Sequence, residues 1–440
     1  MSALSDMLVG GAFQGYAYAY PHKTAYRALT PVRPLDEVWA QEDKSALFLY
    51  LHVPFCEMRC GFCNLFTSTN PQGGLVSQYL EAVELQAKVV ADALGPEAKV
   101  ARIAWGGGTP TFLEPQELSR LCDLMEKRFP ASLGHVPAAC EASPATSTRE
   151  RLQVLKERGF TRLSVGVQSF LEAETRELGR PQRPADVHRA LEAVRGQGFQ
   201  TRNIDLIYGM RGQTRASWRH TLMEAMRHEP EEIYLYPLYV RPLTGMNRLH
   251  RAPADERLGL YREGRDILLE RGYRQLSMRL FRKVSHALPE GPVYCCQEDG
   301  MVGLGVGARS YTSALHYCTE YAVGRTGVNA ITRAFVERTA REHGLADYGC
   351  ELNEEEQRRR YLIKSLLRAD GLDLAAYRVQ FGTDAREDFP EVDELREQNL
   401  AVLHHGVIGL TSAGMELSDA IGPWLGSPVV HERMAAYELR

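Results

Sequence analysis

The sequence predicts an α/β protein in which a partial parallel (β/α)6 TIM-like barrel is followed by a C-terminal helical, winged-helix-like domain. Six short runs rich in apolar and β-branched residues each precede a longer segment with helical periodicity. These runs are apolar nearly throughout, which is typical of strands that are buried on both faces. The alternation stops after Glu351. We therefore expect an N-terminal extension at 1–45, the barrel at 46–350 and the C-terminal domain at 351–440.

The six runs are predicted to be the strands of the barrel, and they begin at Leu47, Val100, Val136, Arg162, Asn203 and Glu232. A series of strand-helix units implies parallel strands that are joined by helical crossovers. Such a series fits either a doubly wound sheet or a complete or partial barrel. Several of the runs end in Gly, Pro or a polar residue, so we expect the functional site at the carboxyl ends of the strands.

The segment after Glu351 is predicted to be mostly helical. The stretch EEEQRRRYLIKSLLRADG predicts a helix that stops at a glycine, a second short helix ends at Phe381-Gly382, and VLHHGVIGLT resembles a small hairpin. A helical unit with a hairpin invites a DNA-binding interpretation. From Glu354 to Arg440, however, 10 Lys and Arg stand against 16 Asp and Glu. This acidic balance argues against a surface that binds phosphates.

The bulk composition is that of an ordinary globular protein. The 440 residues are 44% hydrophobic and 25% charged, with a net charge of -4, which offers no strong field for nucleic acid or an anionic membrane. No basic residue precedes Lys23, and no apolar stretch resembles a signal peptide or a membrane span. Nine cysteines without an export signal indicate a reducing compartment. We expect a cytoplasmic protein with no nucleic-acid or membrane partner.

Cys56, Cys60 and Cys63 form a C-x3-C-x2-C array directly after the first predicted strand. Thiolates in such an array bind zinc, copper(I) or an iron-sulfur cluster. Structural zinc sites and ordinary cubane clusters take four protein ligands, whereas the next cysteine, Cys122, is far along the chain. A [4Fe-4S] cluster on these three thiols would keep one iron open to a further ligand. A zinc knuckle completed by His52, or buried cysteines without a metal, remain alternatives.

Glycines and polar residues also follow the later strands. Trp105 precedes the string GGGTP, in which glycines let a ligand approach the backbone closely, although a simple tight turn has the same composition. Glu141 and Gln168 end the third and fourth strands, Asp205 lies in the fifth, and Arg180 lies in the string LGRPQ. Strand ends of one barrel converge on a common space. These groups would suit a charged, hydroxyl-rich ligand.

The cysteine array at the end of a first barrel strand resembles the radical S-adenosylmethionine (SAM) superfamily. In that superfamily the open iron of a [4Fe-4S] cluster chelates the amino and carboxylate groups of SAM. An electron from the reduced cluster then cleaves the sulfonium to a 5′-deoxyadenosyl radical, which abstracts hydrogen from the substrate. The resemblance implies a [4Fe-4S] cluster and SAM as cofactors, and a low-potential electron donor such as flavodoxin or ferredoxin as a partner.

The strings YLHVPFC, GGGTPT, VGVQSF and NIDLIYG together resemble the oxygen-independent coproporphyrinogen III oxidase-like (HemN/HemW-like) family, which also includes haem chaperones and certain radical methylases. The resemblance covers most of the chain and implies a small-molecule substrate, a tetrapyrrole or a related compound. Carried over by position, the cluster ligands are Cys56, Cys60 and Cys63. The contacts to the cleaved SAM are Tyr50, Gly107 and Glu141. The positions that hold a second SAM in the oxidase are Phe62, Gly108, Thr109, Gln168, Arg180, Asp205 and, in the segment LGVGARSY, Arg309.

Two positions depart from the family patterns. The oxidase carries a further Cys two residues after the third ligand, where this chain has Leu65. The haem chaperones carry an HNxxYW string where this chain has YCCQEDGMVGLGVGA from Tyr294. The main expectation is a SAM-cleaving oxidoreductase related to coproporphyrinogen III oxidase. A haem chaperone without turnover and a methyltransferase that uses two SAM molecules are the alternatives.

Cys295 and Cys296 are adjacent, and we predict that they lie near the cluster as hydrogen donor, acceptor or fourth ligand. Together with Tyr50 they are the candidate catalytic residues, with buried structural cysteine as the alternative. Three further strings resemble marks of a less characterised branch: YPHKTAYR, YLYPLYVRPLTG and GYRQLSMRLFR. Their Tyr, Arg and His content would suit an anionic or aromatic substrate, although packing or solvated surface explains single residues equally well.

Overall fold

The computed structural model describes residues 4–130, 132–253, 255–286 and 300–439. Numbered along the chain, its strands are β1 Arg27–Pro34, β2 Leu47–Val53, β3 Phe55–Cys56, β4 Ser68–Thr69, β5 Val100–Gly107, β6 Ala138–Ala142, β7 Arg162–Gln168, β8 Thr201–Tyr208, β9 Glu232–Pro237, β10 Tyr273–Gln275, β11 Leu280–Lys283, β12 Met301–Leu304, β13 Arg309–Tyr311, β14 Leu315–Cys318, β15 Leu345–Glu351, β16 Leu372–Asp373, β17 Ala401–His404 and β18 Val407–Leu410. Its helices are α1 Leu4–Val9, α2 Leu35–Trp39, α3 Leu75–Leu94, α4 Pro115–Arg128, α5 Arg149–Glu157, α6 Glu172–Glu177, α7 Pro184–Gly196, α8 Arg215–Arg227, α9 Gly245–Arg248, α10 Arg257–Glu270, α11 Arg325–Val336, α12 Ala340–His343, α13 Glu354–Leu366, α14 Leu374–Phe381, α15 Ala385–Asp388, α16 Glu391–Glu397, α17 Ser412–Glu416, α18 Ser418–Trp424 and α19 Pro428–Ala435.

Within these residues, one sheet of 13 strands forms the centre of the molecule, in the order β1-β15-β14-β13-β12-β2-β5-β6-β7-β8-β9-β11-β10. Neighbouring strands from β12 to β9 run parallel, and this run contains all six predicted strands. The prediction of an α/β protein with a parallel, barrel-like sheet is therefore confirmed. The flanking strands pair antiparallel. Several of them are only three or four residues long, too short for a recognisable pattern.

The two faces of the parallel run differ in character, because side chains alternate along each strand. In β2, Leu49 and Leu51 belong to a hydrophobic cluster with residues of α3 and α4. Tyr50 and His52 alternate with them and project from the opposite face. We call the face that contacts the helices the outer face and the opposite one the inner face. Alternation places Glu141 on the inner face of β6, because its neighbours Cys140 and Ala142 belong to the outer cluster.

Residues that precede the first predicted barrel strand pack against both parts of the structure. Strand β1 pairs with β15 at one edge of the sheet. Ala19 packs on the inner face against Phe48, with Tyr18 at the margin of the same cluster. In α1, Leu4 and Met7 join a second hydrophobic core with residues of the C-terminal helices. The expected domain boundaries after residues 45 and 350 remain predictions.

The C-terminal unit consists of helices around a small sheet. Helix α14 ends at Phe381, and Gly382 follows in a left-handed conformation with φ of 72°, a conformation that glycine adopts without strain. The hairpin β17-β18 and β16 form a three-stranded sheet. A buried ion pair between Arg279 and Asp419, at 2.5 Å, joins this unit to the barrel. Across the ranges that the structure describes, no helix is long and apolar enough to cross a membrane.

Candidate active site at the carboxyl ends of the strands

The three cysteines of the predicted array lie on the loop that follows β2. All three are free thiols and half-buried. The loop is fixed at Gly61, whose amide donates to the Leu178 carbonyl at 2.8 Å and whose carbonyl accepts from the Met246 amide at 2.8 Å. A Cβ at Gly61 would lie 2.8 Å from the Leu178 carbonyl oxygen, so this close approach of two backbones requires glycine.

Each sulfur has a different polar neighbour. The Thr109 hydroxyl donates to Cys56 Sγ at 3.4 Å, and the Arg180 guanidinium donates to Cys60 Sγ at 3.4 Å. Cys63 Sγ lies 3.9 Å from the Thr67 hydroxyl. Thr109 and Arg180 are two of the predicted SAM contacts, and both donate hydrogen bonds to predicted cluster ligands. The sulfur neighbours come from the loops after β5 and β7, which is the convergence expected of strand ends in one barrel.

Burial keeps the thiols of Cys56 and Cys60 protonated in the absence of a bound cation. It raises the pKa of Cys56 to about 12, although the Thr109 hydroxyl acts in the opposite direction. Burial also raises the pKa of Cys60, and the charge of Arg180 opposes that shift. A thiol must lose its proton to bind a metal, so ligation here would release protons. A metal centre would supply the positive charge that stabilises the thiolates.

The part of the chain that the structure describes contains no group of three or more His, Cys, Asp and Glu side chains arranged to hold a metal ion. His52 in particular does not join the thiols, because its Nε2 lies 2.9 Å from the carbonyl oxygen of Phe66. The zinc knuckle considered from the sequence requires four ligands that converge on one ion. A cubane cluster instead takes each thiolate on a separate iron, and the donor set of three soft sulfurs fits that group.

The GGGTP string packs directly against the cysteine loop. The Gly108 amide donates to the Val53 carbonyl and the Thr109 amide to the Phe55 carbonyl, both at 2.8 Å. A Cβ at Gly108 would lie 2.6 Å from that Phe55 oxygen. Gly107 has a φ of 109°, and a Cβ there would lie 2.5 Å from the ring of His52. The string is therefore more than a tight turn, since glycine is required for it to contact the neighbouring strand end.

Two carboxyl groups occupy the inner face beyond these glycines. Glu141 accepts a hydrogen bond from the Gly107 amide at 3.2 Å, and its side chain projects from the inner face. The surrounding protein raises its pKa to about 7, first through desolvation and then through the charge of Asp205. Asp205 accepts from Asn203 Nδ2 at 2.7 Å and from the Ser164 hydroxyl at 3.3 Å. Burial raises the pKa of Asp205 as well.

Gln168 and Arg180 define the end of β7. Gln168 has a φ of 71°, an uncommon conformation for a residue other than glycine, and the pairing with β8 shifts register just before it. Arg180 donates to the Gly166 carbonyl at 2.8 Å as well as to Cys60. The guanidinium thus joins the end of β7 to the cysteine loop. Strain of this kind is common at ligand-binding sites.

The remaining predicted residues are more widely spread. Tyr50 lies on the inner face, with its hydroxyl 3.4 Å from His52 Nδ1. Phe62 packs in a separate apolar cluster with residues such as Met246. Arg309 lies on β13 and donates to the Tyr18 hydroxyl at 2.8 Å. Cys295 and Cys296 lie outside the described residues, so their predicted role stays a prediction.

Several inner residues were not among the predicted site residues. Tyr18, His22 and Lys23 come from the N-terminal segment, and burial and nearby charges shift the pKa of each. Cys318 is the partner of Arg309 in the β13-β14 ladder. The only signal in the sequence for the first three was the unusual content of YPHKTAYR and of the tyrosines before it. Nothing in the sequence singled out Cys318.

Comparison with known proteins gives two family matches. The model of the Radical SAM superfamily matches residues 50–225, which include the cysteine loop, the glycine string, Glu141 and Asp205. The model of the HemN C-terminal domain matches residues 352–417. The two matches fall on the parallel run of strands and on the C-terminal helical unit.

Individual relatives cover nearly the whole chain. The haem chaperone HemW of Bacillus subtilis is 28% identical over 386 residues, which are 86% of this chain and 98% of that protein. An oxygen-independent coproporphyrinogen III oxidase of Pseudomonas aeruginosa is 27% identical over 92% of this chain and 91% of its own. Coproporphyrinogen III oxidase (HemN) from Escherichia coli, described as a radical SAM enzyme, superposes with a TM-score of 0.79 over 96% of this chain and 98% of its own, at 24% identity. The superposition supports the fold.

Proposed function

This chain belongs to the HemN/HemW-like family of radical SAM proteins, and we propose that it is an oxidoreductase that cleaves SAM and acts on a tetrapyrrole. One observation carries the proposal. Three free thiols lie close together in the chain, and two of them accept hydrogen bonds from residues that follow other strands of the parallel sheet: Cys56 from Thr109, after β5, and Cys60 from Arg180, after β7. Known relatives that cover the chain almost completely are named for coproporphyrinogen III or haem.

The cofactors of the superfamily are a [4Fe-4S] cluster and SAM, and the residues present fit both. Cys56, Cys60 and Cys63 would hold the cluster. The bound cofactors supply reductive cleavage of a sulfonium and a radical that takes hydrogen from the substrate. The electron would come from a low-potential donor such as flavodoxin or ferredoxin, and we propose that the protein acts in the cytoplasm.

The residues of the chain would bind and orient the nucleoside. Backbone groups of Gly107 and Gly108 are accessible because neither residue has a side chain, and Glu141 faces the same space. Tyr50 projects from β2, the strand next to β5, and pairs there with Ala104. We propose that Tyr50, Gly107 and Glu141 contact the SAM that is cleaved. If two SAM molecules are bound, we propose that the second contacts Phe62, Gly108, Thr109, Gln168, Arg180 and Asp205. Arg309, the other residue carried over from the oxidase, donates to Tyr18 instead.

The first test is reductive SAM cleavage by the reconstituted protein. Under anoxic conditions with dithionite, the protein should release 5′-deoxyadenosine, and coproporphyrinogen III should increase that release. Methionine and the tetrapyrrole product are measured in the same samples. A protein with a full cluster that forms no nucleoside product under any of these conditions would contradict the proposal.

Glu141 gives the proposed SAM site a pH dependence. Its raised pKa of about 7 reflects desolvation and the nearby Asp205, against the Gly107 hydrogen bond and the charge of Arg162. A cationic ligand prefers the ionised carboxylate, so affinity for SAM should rise with pH and level off above the pKa. Between pH 6 and pH 8 we expect roughly a tenfold decrease in the dissociation constant, because the ionised fraction rises by about that factor. Equilibrium dialysis with labelled SAM measures the change.

The matched variant for this prediction is Glu141→Gln, which keeps the shape of the side chain and removes its titration. We expect weaker binding and a nearly flat pH profile between pH 6 and pH 8. If the wild-type protein and this variant show the same pH profile, Glu141 does not contact the bound SAM.

A haem chaperone is the second candidate function, favoured by the similarity to HemW over 98% of that protein and by Leu65 at the position of the extra cysteine. Tight haem binding without SAM cleavage would identify this function. Formation of S-adenosylhomocysteine in the cleavage assay would instead identify a radical methyltransferase. Measurements of 5′-deoxyadenosine, S-adenosylhomocysteine and haem binding therefore distinguish the three candidate functions: oxidoreductase, methyltransferase and haem chaperone.

A further inference from the structure

Basic side chains from two separate segments meet at Tyr18 on the inner face of the barrel, and Arg241 from a third segment is connected to them through other side chains. Arg309 donates to the Tyr18 hydroxyl at 2.8 Å, and its guanidinium lies 5.0 Å from the centre of the Tyr18 ring. Lys23 is buried, with its ammonium 3.7 Å from the centre of the Tyr321 ring. We call Lys23, Arg241 and Arg309 the inner cation cluster. The segments that supply Lys23 and Arg241 are two of the three basic and aromatic strings noted in the sequence.

Contacts connect Arg241 to the other two cations: Tyr239, on which it stacks, donates to Asp419 at 2.6 Å, and Asp419 pairs with Arg279. The Arg279 guanidinium in turn lies 3.6 Å from the centre of the Tyr16 ring, which is 5.3 Å from the ring of Tyr18. His22 lies beside Tyr18. Its ring is 5.6 Å from that of Tyr18. After burial, the charges of Lys23, Arg309 and Arg241 lower the pKa of His22 further. Arg241 itself stacks on Tyr239, with its guanidinium carbon 4.3 Å from the ring centre.

The inner cation cluster lacks a negative partner among the described residues. None of its three side chains forms an ion pair with a carboxylate there, in contrast to Arg279, which pairs with Asp419 at 2.5 Å. Arg309 Nε is buried without a hydrogen-bond partner within the same residues. Lys23 is buried and the two arginines are partly buried. Charged groups removed from water are normally paired, because the loss of hydration without a compensating partner is costly. An unpaired group of cations therefore suits an anionic ligand.

The inner cation cluster lies beside the cysteine loop. A ligand bound to it would therefore be next to the proposed iron-sulfur cluster. Tyr321, whose ring the Lys23 ammonium contacts, donates its hydroxyl to the Asn64 carbonyl at 2.7 Å, so the ammonium lies near the residue that directly follows Cys63. Tyr18 also shares an apolar cluster with Tyr50 and Ala104 on the inner face. A tetrapyrrole in front of these tyrosines would bring its acidic side chains to the cations.

We propose that Lys23, Arg241 and Arg309 bind carboxylate groups of the substrate, and that the N-terminal segment thereby contributes directly to the substrate site. This inference rests on the proposed function and adds the recognition of acidic side chains on the tetrapyrrole. Guanidinium and ammonium groups form charge-assisted hydrogen bonds with carboxylates, which are stronger than neutral ones. The carboxylate of SAM has the same chemistry, so the test must distinguish these two sources.

The experiment measures binding of coproporphyrin III, a fluorescent tetra-acid, and of its tetramethyl ester to the reconstituted protein in the same dilute neutral detergent. Fluorescence anisotropy gives the dissociation constants. We expect the acid to bind roughly tenfold or more tightly than the ester, and Lys23→Gln to weaken binding of the acid by a similar factor. The ester should bind equally to both proteins. Lys127→Gln, at an exposed position of α4, is the control for loss of one positive charge.

Binding of SAM is measured on the same samples, together with iron content and thermal unfolding. Equal binding of acid and ester by the wild-type protein would overturn the inference while leaving SAM cleavage, and so the proposed function, intact. A loss of SAM affinity in Lys23→Gln without a change for the porphyrin acid would also overturn it, because the cations would then bind the cofactor. If Lys23→Gln loses iron or unfolds early, Arg241→Gln provides the same comparison from another segment.

Discussion

Cys60→Ala is expected to abolish iron-sulfur cluster assembly and to lower SAM cleavage by about 10³-fold or more, because the protein has no chemistry of its own for breaking a sulfonium bond. The substitution removes one of three thiols that lie on a single loop. It also leaves Arg180 without the sulfur to which its guanidinium donates at 3.4 Å. Iron and sulfide content, the absorbance near 400 nm and 5′-deoxyadenosine release measure the effect.

Cys122→Ala is the matched control, because Cys122 is a buried cysteine of α4 in the outer hydrophobic core. Its loss should cost about 1 kcal/mol of stability and leave the iron content unchanged. The prediction fails if Cys60→Ala retains full iron and sulfide. That outcome would mean that some other side chain completes the site, with Cys295 and Cys296 as the first residues to replace.

The sequence was informative wherever the signal is local. The cysteine array and the glycine string each occupy a few consecutive residues, and the nearly continuous apolar runs predicted the six parallel strands. The contact between Thr109 and Cys56, at 3.4 Å, follows once two successive strands are placed side by side. Parallel strands with helical crossovers leave few alternatives to that arrangement.

The sequence was uninformative where residues far apart in the chain meet. Tyr18 and Arg309 are separated by 291 positions, yet the hydroxyl accepts a hydrogen bond from the guanidinium. The sequence predicted an N-terminal extension at 1–45 but did not indicate that Tyr18 within it packs on the inner face of the barrel. The short strands β13 and β14 that position Arg309 have three and four residues, so no periodicity could predict them. Such contacts depend on the packing of the whole molecule.

Gly108→Ala should have the second largest effect, because its added methyl group has no space. An ideal Cβ at this position would lie 2.6 Å from the Phe55 oxygen and 2.8 Å from the Pro54 carbonyl, and backbone cannot move aside as a flexible side chain does. Relief of the clash must push the end of β5 away from the cysteine loop. We expect a loss of about 3 kcal/mol in the free energy of unfolding, measured by urea titration, and a strongly weakened affinity for SAM.

Gly196→Ala is the informative comparison for this last prediction. Gly196 is the final residue of α7, and a Cβ there would meet no atom within 4 Å. Alanine should therefore be neutral or slightly stabilising at that position. If Gly108→Ala instead unfolds at the same urea concentration as the wild-type protein and binds SAM equally well, the close approach of the glycine string to Phe55 does not exist in solution. The end of β5 would then not be held against β3, and the GGGTP segment would not fix the position of the cysteine loop.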